Sequence, residues 1–453
     1  MCQISQKERT SWLVKVLVTE HSLFVESEDH SYPAEARPYV RGRISIFLPN
    51  FGLQVLNPML YALTEDGTDR LFYEWLEGKY LFDTRLGRGF YYSPGVVDQT
   101  LHTTGGCWQA DTNMAHFTSL VMRFRNLLAE VSASITSALD SNAMDQLQVA
   151  KKRERIFGRR EILPLYERFR EIHGRVYPFD EFERSNSFIS CRNGLYDLDM
   201  GEFRSTKPSD YTRYFLPVNY DPTADNPWFW KMLDDITGEN QDLADLLCRI
   251  AAAIVDVRCL PKPLVQFYDD GGNNGCKQFL RLLFSAFEPL LNHDGVGLTD
   301  FYDKSKHVLV LDGQDVPRTC IYDCMETPPD AGEFRWEMME LSSQGNVLSI
   351  SPKNGSLYRE RVGMLHLIHS RISYLPENMD WLLIVPFEQD IPESHLSKYQ
   401  FYIGHPNVLS TFLNQVIEAV ERVRGRGFEP PETCRSMLTF LQLQQRMFSY
   451  TRL

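Results

Sequence analysis

Between Asp269 and Gln278 the chain strings together glycines, amides and one lysine in an order suited to a phosphate group: Gly271, Gly272, Asn274, Gly275, Cys276, Lys277 and Gln278. Glycine takes positive φ without steric cost, so such a loop can turn successive backbone N–H groups toward an anion. A helix starting just after it adds the positive end of its dipole. A phosphate-binding loop of the form G-x-x-x-x-G-K-[ST] also sets its Lys on the β/γ-phosphates and its hydroxyl on magnesium. Two registers are open here. With Gly275 as the last glycine, Cys276 stands where the Lys belongs and Lys277 where the hydroxyl belongs. With Lys277 as the phosphate Lys, Gly271 is the first glycine, Cys276 replaces the second, and Gln278 replaces the Ser/Thr. Neither register leaves a hydroxyl for magnesium. The loop therefore reads as a working variant, as a nucleotide site without efficient turnover, or as a structural turn.

The elements around the loop have the order a phosphate site needs. A short apolar strand, 263–268, precedes it, and an apolar-periodic helix from Phe279 to Phe287 follows. Two further strand-like runs, 308–311 and 319–322, have acidic residues at or just beyond their ends: Asp312 after the first, Asp323 and Glu326 after the second. Two more apolar runs, 365–368 and 381–385, complete a set that alternates with helices, which predicts a parallel α/β sheet. His366 and His369 lie within one of these runs, but no Cys or third ligand stands near them in sequence, so they do not read as a metal site.

Upstream, the pattern predicts a helix from His116 onward and another around Leu163 to His173, separated by a basic run containing Lys151, Lys152, Arg153, Arg155, Arg159 and Arg160. That run reads either as a solvated helix face or as a contact to a phosphate backbone. Residues 188–203 read as two short strands with turns at Asn193-Gly194 and Met200-Gly201. A helix is predicted over Pro227 to Thr237, with Asn226 as its cap and Gly238 as its stop, and a second over Gln241 to Ile254. Residues before about Gly106 form an irregular mixed segment with β-like runs such as 43–48 and no assignable chemistry.

The chain has 453 residues, enough for about two or three domains at roughly 150 residues each. With 43% hydrophobic and 24% charged residues it is an ordinary globular sequence, and a net charge of −13 excludes a uniformly basic nucleic-acid coat while leaving room for a local basic groove. No signal peptide and no long apolar run is present, so the expectation is a cytoplasmic protein without a membrane segment. The nine cysteines are scattered and lack any C-x-x-C pair, so neither a disulfide framework nor a zinc site is implied.

Several segments, in collinear order, resemble the helicase part of the phage, plasmid and large-DNA-virus primase-helicases, a branch of the superfamily-three helicases. They are Phe179-Asp180, the stretch from Asn193 to Leu198, Gly201 to Phe203, and Leu216 to Pro222. Further along follow Leu341 to Ser343, Leu348 to Gly355, Ile384 to Phe387, and Gly425 to Pro430. The resemblance runs from about Trp108 to Thr439. It implies an AAA+-like P-loop ATPase core with a parallel sheet, preceded by a mixed α+β and helical accessory domain. It divides the chain into an irregular segment 1–107, an accessory domain 108–255, a helicase domain 256–400 and a helical segment 401–453. It also implies ATP and Mg2+ as cofactors, DNA as partner, assembly as a homo-oligomeric ring such as a hexamer, and a primase or polymerase partner. No segment of these 453 residues resembles the primase-polymerase domain that normally precedes the helicase part.

Carried over residue by residue, the resemblance assigns Gly271, Gly272, Asn274, Gly275, Cys276, Lys277 and Gln278 to the nucleotide, Glu326 to orienting the attacking water, and Asp323 to magnesium. Ser370 falls where an Asn should sense the γ-phosphate. The arginine pair that serves a neighbouring subunit falls at Asp380-Trp381, with Arg371 as the nearest substitute. Lys353, in a turn where the family has its pore-facing hairpin, together with Arg359 and Arg361, is the expected DNA contact; the cluster Arg422, Arg424 and Arg426 is a further candidate. Phosphate Lys, magnesium hydroxyl, sensor amide and arginine finger all depart from the pattern. The implied function is a replication helicase, or a catalytically inactive relative acting as a DNA-binding or scaffolding subunit.

Overall fold

The computed structural model describes residues 44–48, 52–56, 64–84, 86–137, 143–177, 188–256, 258–269, 271–272, 274–292, 302–303, 308–311, 319–323, 339–340, 342–352, 358–370 and 382–451. The chain divides into two compact units, one formed by 1–92 and 109–176, the other by 93–108 and 177–453.

In the first unit, β1 (Ile44–Leu48) and β2 (Gly52–Leu56) form an antiparallel hairpin, as the β-like run at 43–48 anticipates. Helix α1 (Glu65–Trp75) starts at Thr64, whose hydroxyl accepts the Gly67 N–H at 3.1 Å. β3 (Tyr80–Asp83) then pairs antiparallel with the start of β4 (Arg88–Asp98); β4 beyond Tyr92 and β5 (Thr103–Ala110) up to Trp108 belong to the second unit. Helices α2 (Ala115–Ser137), α3 (Ala143–Gly158) and α4 (Ile162–His173) complete the unit. Its core is aromatic: Phe72 of α1 meets Phe117 at 5.7 Å and Phe157 at 5.2 Å, and Phe124 meets Phe157 edge-on at 4.9 Å. The basic run lies on α3 as far as Arg155, but Arg153 is 1% exposed, so the run is not a uniform solvated face. Arg160, the last residue of the run, grips the fully buried Asp69 through Nε at 3.1 Å and Nη2 at 2.6 Å. That guanidinium is a structural ion pair.

In the second unit, residues 188–204 make three strands where two are expected: β6 (Phe188–Cys191), β7 (Gly194–Asp197) and β8 (Glu202–Arg204), antiparallel in that order. The third strand forms because the turn at Gly201, with φ 66°, reverses the chain early enough for 202–204 to pair back. The two helices 227–237 and 241–254 emerge as expected. α5 (Pro227–Thr237) is capped by Asn226, whose side chain accepts the Trp228 N–H at 2.9 Å, and stops at Gly238 with φ 62°. α6 (Gln241–Val255) is capped by Asn240 and is buried along almost its whole length.

The main sheet begins with β9 (Leu264–Asp269), which runs into the glycine loop and α7 (Cys276–Phe287). After it come β10 (Leu291–Asn292), β11 (Tyr302–Asp303), β12 (Val308–Leu311), β13 (Thr319–Asp323), β14 (Asn346–Pro352), β15 (Tyr358–Val362), β16 (Leu365–Ser370) and β17 (Leu382–Phe387). Five of these form an all-parallel sheet in the order β10-β13-β16-β9-β17. The parallel α/β sheet expected from the apolar runs is therefore present. Leu264, Val265 and Phe267 of β9 are fully buried, and each contributes roughly 1.5–3 kcal/mol by leaving water. The run 308–311 does not join this sheet. It lies in a second, four-stranded sheet, β11-β12-β14-β15, because its parallel partner is β14. Helices α8 (Glu393–Tyr402), α9 (Pro406–Arg426) and α10 (Glu432–Thr451) close the unit. α9 packs against α6, and α10 packs against β17. Among the described residues, no helix is long and apolar enough to cross a membrane.

Candidate functional site

The glycine loop sits at the C-terminal edge of the parallel sheet, beside the end of β16, which lies between β9 and β13. Residues at this edge converge because adjacent parallel strands end at the same level, the usual place for a ligand in such a sheet. In the strand register Asp323 lies opposite His369, and Ser370 lies opposite Tyr268.

Asp269 is the hub of the loop. It is 1% exposed. Its Oδ1 accepts the Gly271 N–H and one Asn274 Nδ2 hydrogen, both at 2.7 Å, and its Oδ2 accepts from His369 Nε2 at 2.9 Å. Burial works against its charge, but the hydrogen bonds from His369, Gly271 and Asn274 outweigh it and hold the carboxyl below its usual range. Asn274, 4% exposed, also donates from Nδ2 to the Phe387 carbonyl at 2.9 Å, and its Oδ1 accepts the Cys276 N–H at 3.2 Å.

Helix α7 begins at Cys276, with Gly275 as its cap at φ 82°. That is nearly one turn ahead of the Phe279 start that the apolar period indicates. A Cβ at Gly275 would lie 2.5 Å from Ile236 and 2.8 Å from Ile391, so close packing as well as positive φ requires glycine. Cys276 is fully buried, Lys277 is exposed, and Gln278 is half-buried. Gly271 (φ 91°) and Gly272 lie exposed at the loop's outer side. Two backbone donors that a phosphate would want, those of Gly271 and Cys276, are thus turned inward onto Asp269 and Asn274, above a buried carboxylate.

The side chains of Cys276, Asp269 and His369 come together: one donor atom from each lies within 4.8 Å of the other two, and all three residues are buried. Sequence separation hides this group, which corrects the expectation that His369 has no Cys or third ligand near it. The one local signal is a pair of aspartates, Asp269 and Asp270, between an apolar strand and two glycines. His366 faces elsewhere. Its Nε2 is 2.8 Å from Ser342 Oγ and its Nδ1 is 3.2 Å from the Tyr322 hydroxyl, and burial, aided by Lys262, pushes its pKa down to about 3.

Of the other expected site residues, Asp323 closes β13 at this edge, while Asp312, Glu326, Arg371, Asp380 and Trp381 lie outside the described residues. Arg359 and Arg361 fall on β15, which pairs antiparallel with β14. Lys353 belongs to the connection between these strands, also outside the described residues. The cluster at the end of α9 is engaged in ion pairs: Arg422 Nε with Asp245 at 2.7 Å, and Arg424 Nε with the buried Asp256 at 2.7 Å. These two arginines act within the fold. Asn193, in the accessory segment, is fully buried; it donates to Asp98 Oδ2 at 2.8 Å and to the Tyr220 carbonyl at 2.9 Å, and accepts the Tyr220 N–H at 2.9 Å. It ties the segment 193–198 to the segment 216–222.

A separate groove of about 410 Å³ is lined by Pro227, Trp228, Lys231, His395, Lys398 and Tyr399. Much of its polar capacity is spent on Asp235, which binds Lys231 at 2.6 Å, His395 at 3.0 Å and the Tyr399 hydroxyl.

Residues 71–238 match the family model described as D5 N terminal like, so the match begins well ahead of Trp108. This agrees with the primase-helicase resemblance. Among solved structures, the A form apo structure of the NrS-1 C terminal region aligns at 13% identity with a TM-score of 0.34, covering 47% of this chain and 56% of that one. A second apo structure of the same region aligns at 11% identity and a TM-score of 0.33, covering 45% and 53%. The chain therefore spans about half the length of these structures. No curated protein matches it.

Proposed function

From a chain whose residues 71–238 carry a D5 N terminal like region, we propose a phage-type replication protein that binds DNA through a helicase-like body but does not turn over ATP efficiently. One observation carries the reading: α7 starts at Cys276, so a buried thiol occupies the first helical position after the last glycine, where the register with Gly275 requires the phosphate Lys. The neighbouring hydrogen bonds support it, because the Gly271 and Cys276 N–H groups are committed to Asp269 and Asn274. An anion at this loop would meet fewer outward donors and the buried Asp269 carboxylate beneath them.

DNA contact in this reading belongs to the β14–β15 hairpin. Lys353 sits in its connection, and Arg359 and Arg361 lie on its second strand; the contact needs charge on the backbone and no base-specific geometry. Assembly as a ring such as a hexamer, and recruitment of a primase, polymerase or active helicase, complete the proposal.

A second reading keeps turnover. Lys277 is exposed in the first turn of α7, where a lysine could still reach a phosphate, and Asp323 closes the strand that would present magnesium. Glu326 would then orient water, with Arg371 supplying positive charge from the chain beyond β16. ATP binding and hydrolysis by the purified protein, with Mg2+ and with or without single-stranded DNA, separate the two readings. Salt-sensitive DNA binding without turnover supports the first, and DNA-stimulated turnover supports the second.

A further inference from the structure

We propose that Asp269, Cys276 and His369 form a binding site for a tetrahedral transition-metal ion, zinc being the best fit, beneath the glycine loop. Three separate elements deliver the ligands: the end of β9, the first residue of α7 and the end of β16. Their donor atoms lie within 4.8 Å of one another, and the residues are 1%, 0% and 2% exposed. Bond lengths of about 2.0–2.3 Å at tetrahedral angles place ligand atoms roughly 3.3–3.6 Å apart. The group therefore needs adjustments of at most about 1.5 Å between donor atoms to surround an ion.

The chemistry of the donors selects the metal. A thiolate, an imidazole and a carboxylate suit zinc, whereas magnesium and calcium want all-oxygen shells. Outer contacts already orient the carboxylate: Gly271 N–H and Asn274 Nδ2 hold Asp269 Oδ1, leaving Oδ2 directed at His369. The hydrogen bond between His369 and Asp269 and the proton of Cys276 give way when the ion enters, so affinity rises with pH. Three protein ligands leave the fourth position to solvent or to another group. The site rests on the geometry of the loop and stands whether or not the protein hydrolyses ATP.

The test uses the full chain, stripped with chelator and titrated with Co2+ as a spectroscopic substitute for zinc. One equivalent should bind with a thiolate-to-cobalt charge-transfer band, and an equivalent of Zn2+ should abolish that band. Cys276→Ala should lose it while Cys434→Ser, buried elsewhere, retains it. Asn274→Ala should weaken binding by about 10–100-fold by releasing the oriented carboxylate. X-ray absorption on the zinc-loaded wild type gives a readout that needs no variant: one sulfur at about 2.3 Å with nitrogen and oxygen at about 2.0 Å. No band with the folded wild type, an unchanged band in Cys276→Ala, or a zinc shell without sulfur would each overturn the proposal. ATP turnover and DNA binding are read separately, so failure here leaves the functional reading intact.

Discussion

His369 Nε2 lies 2.9 Å from Asp269 Oδ2, joining the ends of two neighbouring parallel strands that are 100 residues apart in sequence. Both side chains are buried, and the pair fixes the loop that follows β9. Asp269→Ala would strand the buried His369 donor, remove one of the two acceptors of Asn274 Nδ2 and release the Gly271 N–H. The expected cost is about 3–5 kcal/mol in the stability of the second unit, against about 1–2 kcal/mol for Asn274→Ala. Urea unfolding of both variants, followed by near-ultraviolet circular dichroism, measures the order. Equal stabilities would contradict it.

Gly275 bears a double constraint, φ 82° and the approach of Ile236 and Ile391. Gly275→Ala should cost at least about 1–2 kcal/mol from the left-handed backbone alone, with more from the clash. Truncating the neighbour with Ile236→Ala, which removes the Cγ1 that the new Cβ would meet, should recover only part of that loss when the double variant is compared with Ile236→Ala alone. Thermal melts of the single and double variants decide the matter, and full recovery would mean that packing, not φ, sets the requirement.

His366 gives the fold a defined acid dependence. Its pKa is pushed down to about 3 by burial and by Lys262, whereas an unfolded His titrates near 6.5. Between those values the unfolded chain binds the proton and the native one does not, so this residue's contribution is complete above about pH 6.5 and is lost progressively as pH falls toward 3. Comparing unfolding free energy against pH for wild type and His366→Gln should show a shallower acid limb in the variant. Identical limbs would remove His366 as the cause.

The DNA-contact assignment makes a salt-dependent prediction. Replacing Lys353, Arg359 and Arg361 together with Ala should weaken single-stranded DNA binding uniformly across sequences. It should also shrink the slope of log K against log salt by roughly 2, at about 0.7 per lost phosphate contact. Arg422→Ala and Arg424→Ala should leave the slope unchanged and lower stability instead, because these side chains pair with Asp245 and Asp256. Fluorescence anisotropy across a salt series distinguishes the two groups.

Local chemistry was legible in the sequence; distant company was not. Asn226, Pro227 and Gly238 announce α5 because a cap, a first-turn proline and a left-handed stop act within one turn of the residues they control. The strand, glycine loop and helix from 264 to 287 are readable for the same reason. The run 308–311 is recognisable as a strand, yet nothing within four apolar residues says that its partner is β14 and not β13. Cys276 looks like a mere loss of lysine until the sheet order brings β16 beside β9 and sets His369 against the loop. Arg153 reads as part of a surface run, although the packing of α3 buries it completely enough to leave 1% of its area exposed.

The most direct test of the functional reading is steady-state ATP hydrolysis by the purified chain at low salt with Mg2+, with and without single-stranded DNA, beside a Glu326→Gln variant. The account predicts salt-sensitive DNA binding by both proteins, with hydrolysis at background and unchanged by the substitution. DNA-stimulated hydrolysis that Glu326→Gln abolishes would contradict it and would make Lys277 the working phosphate ligand.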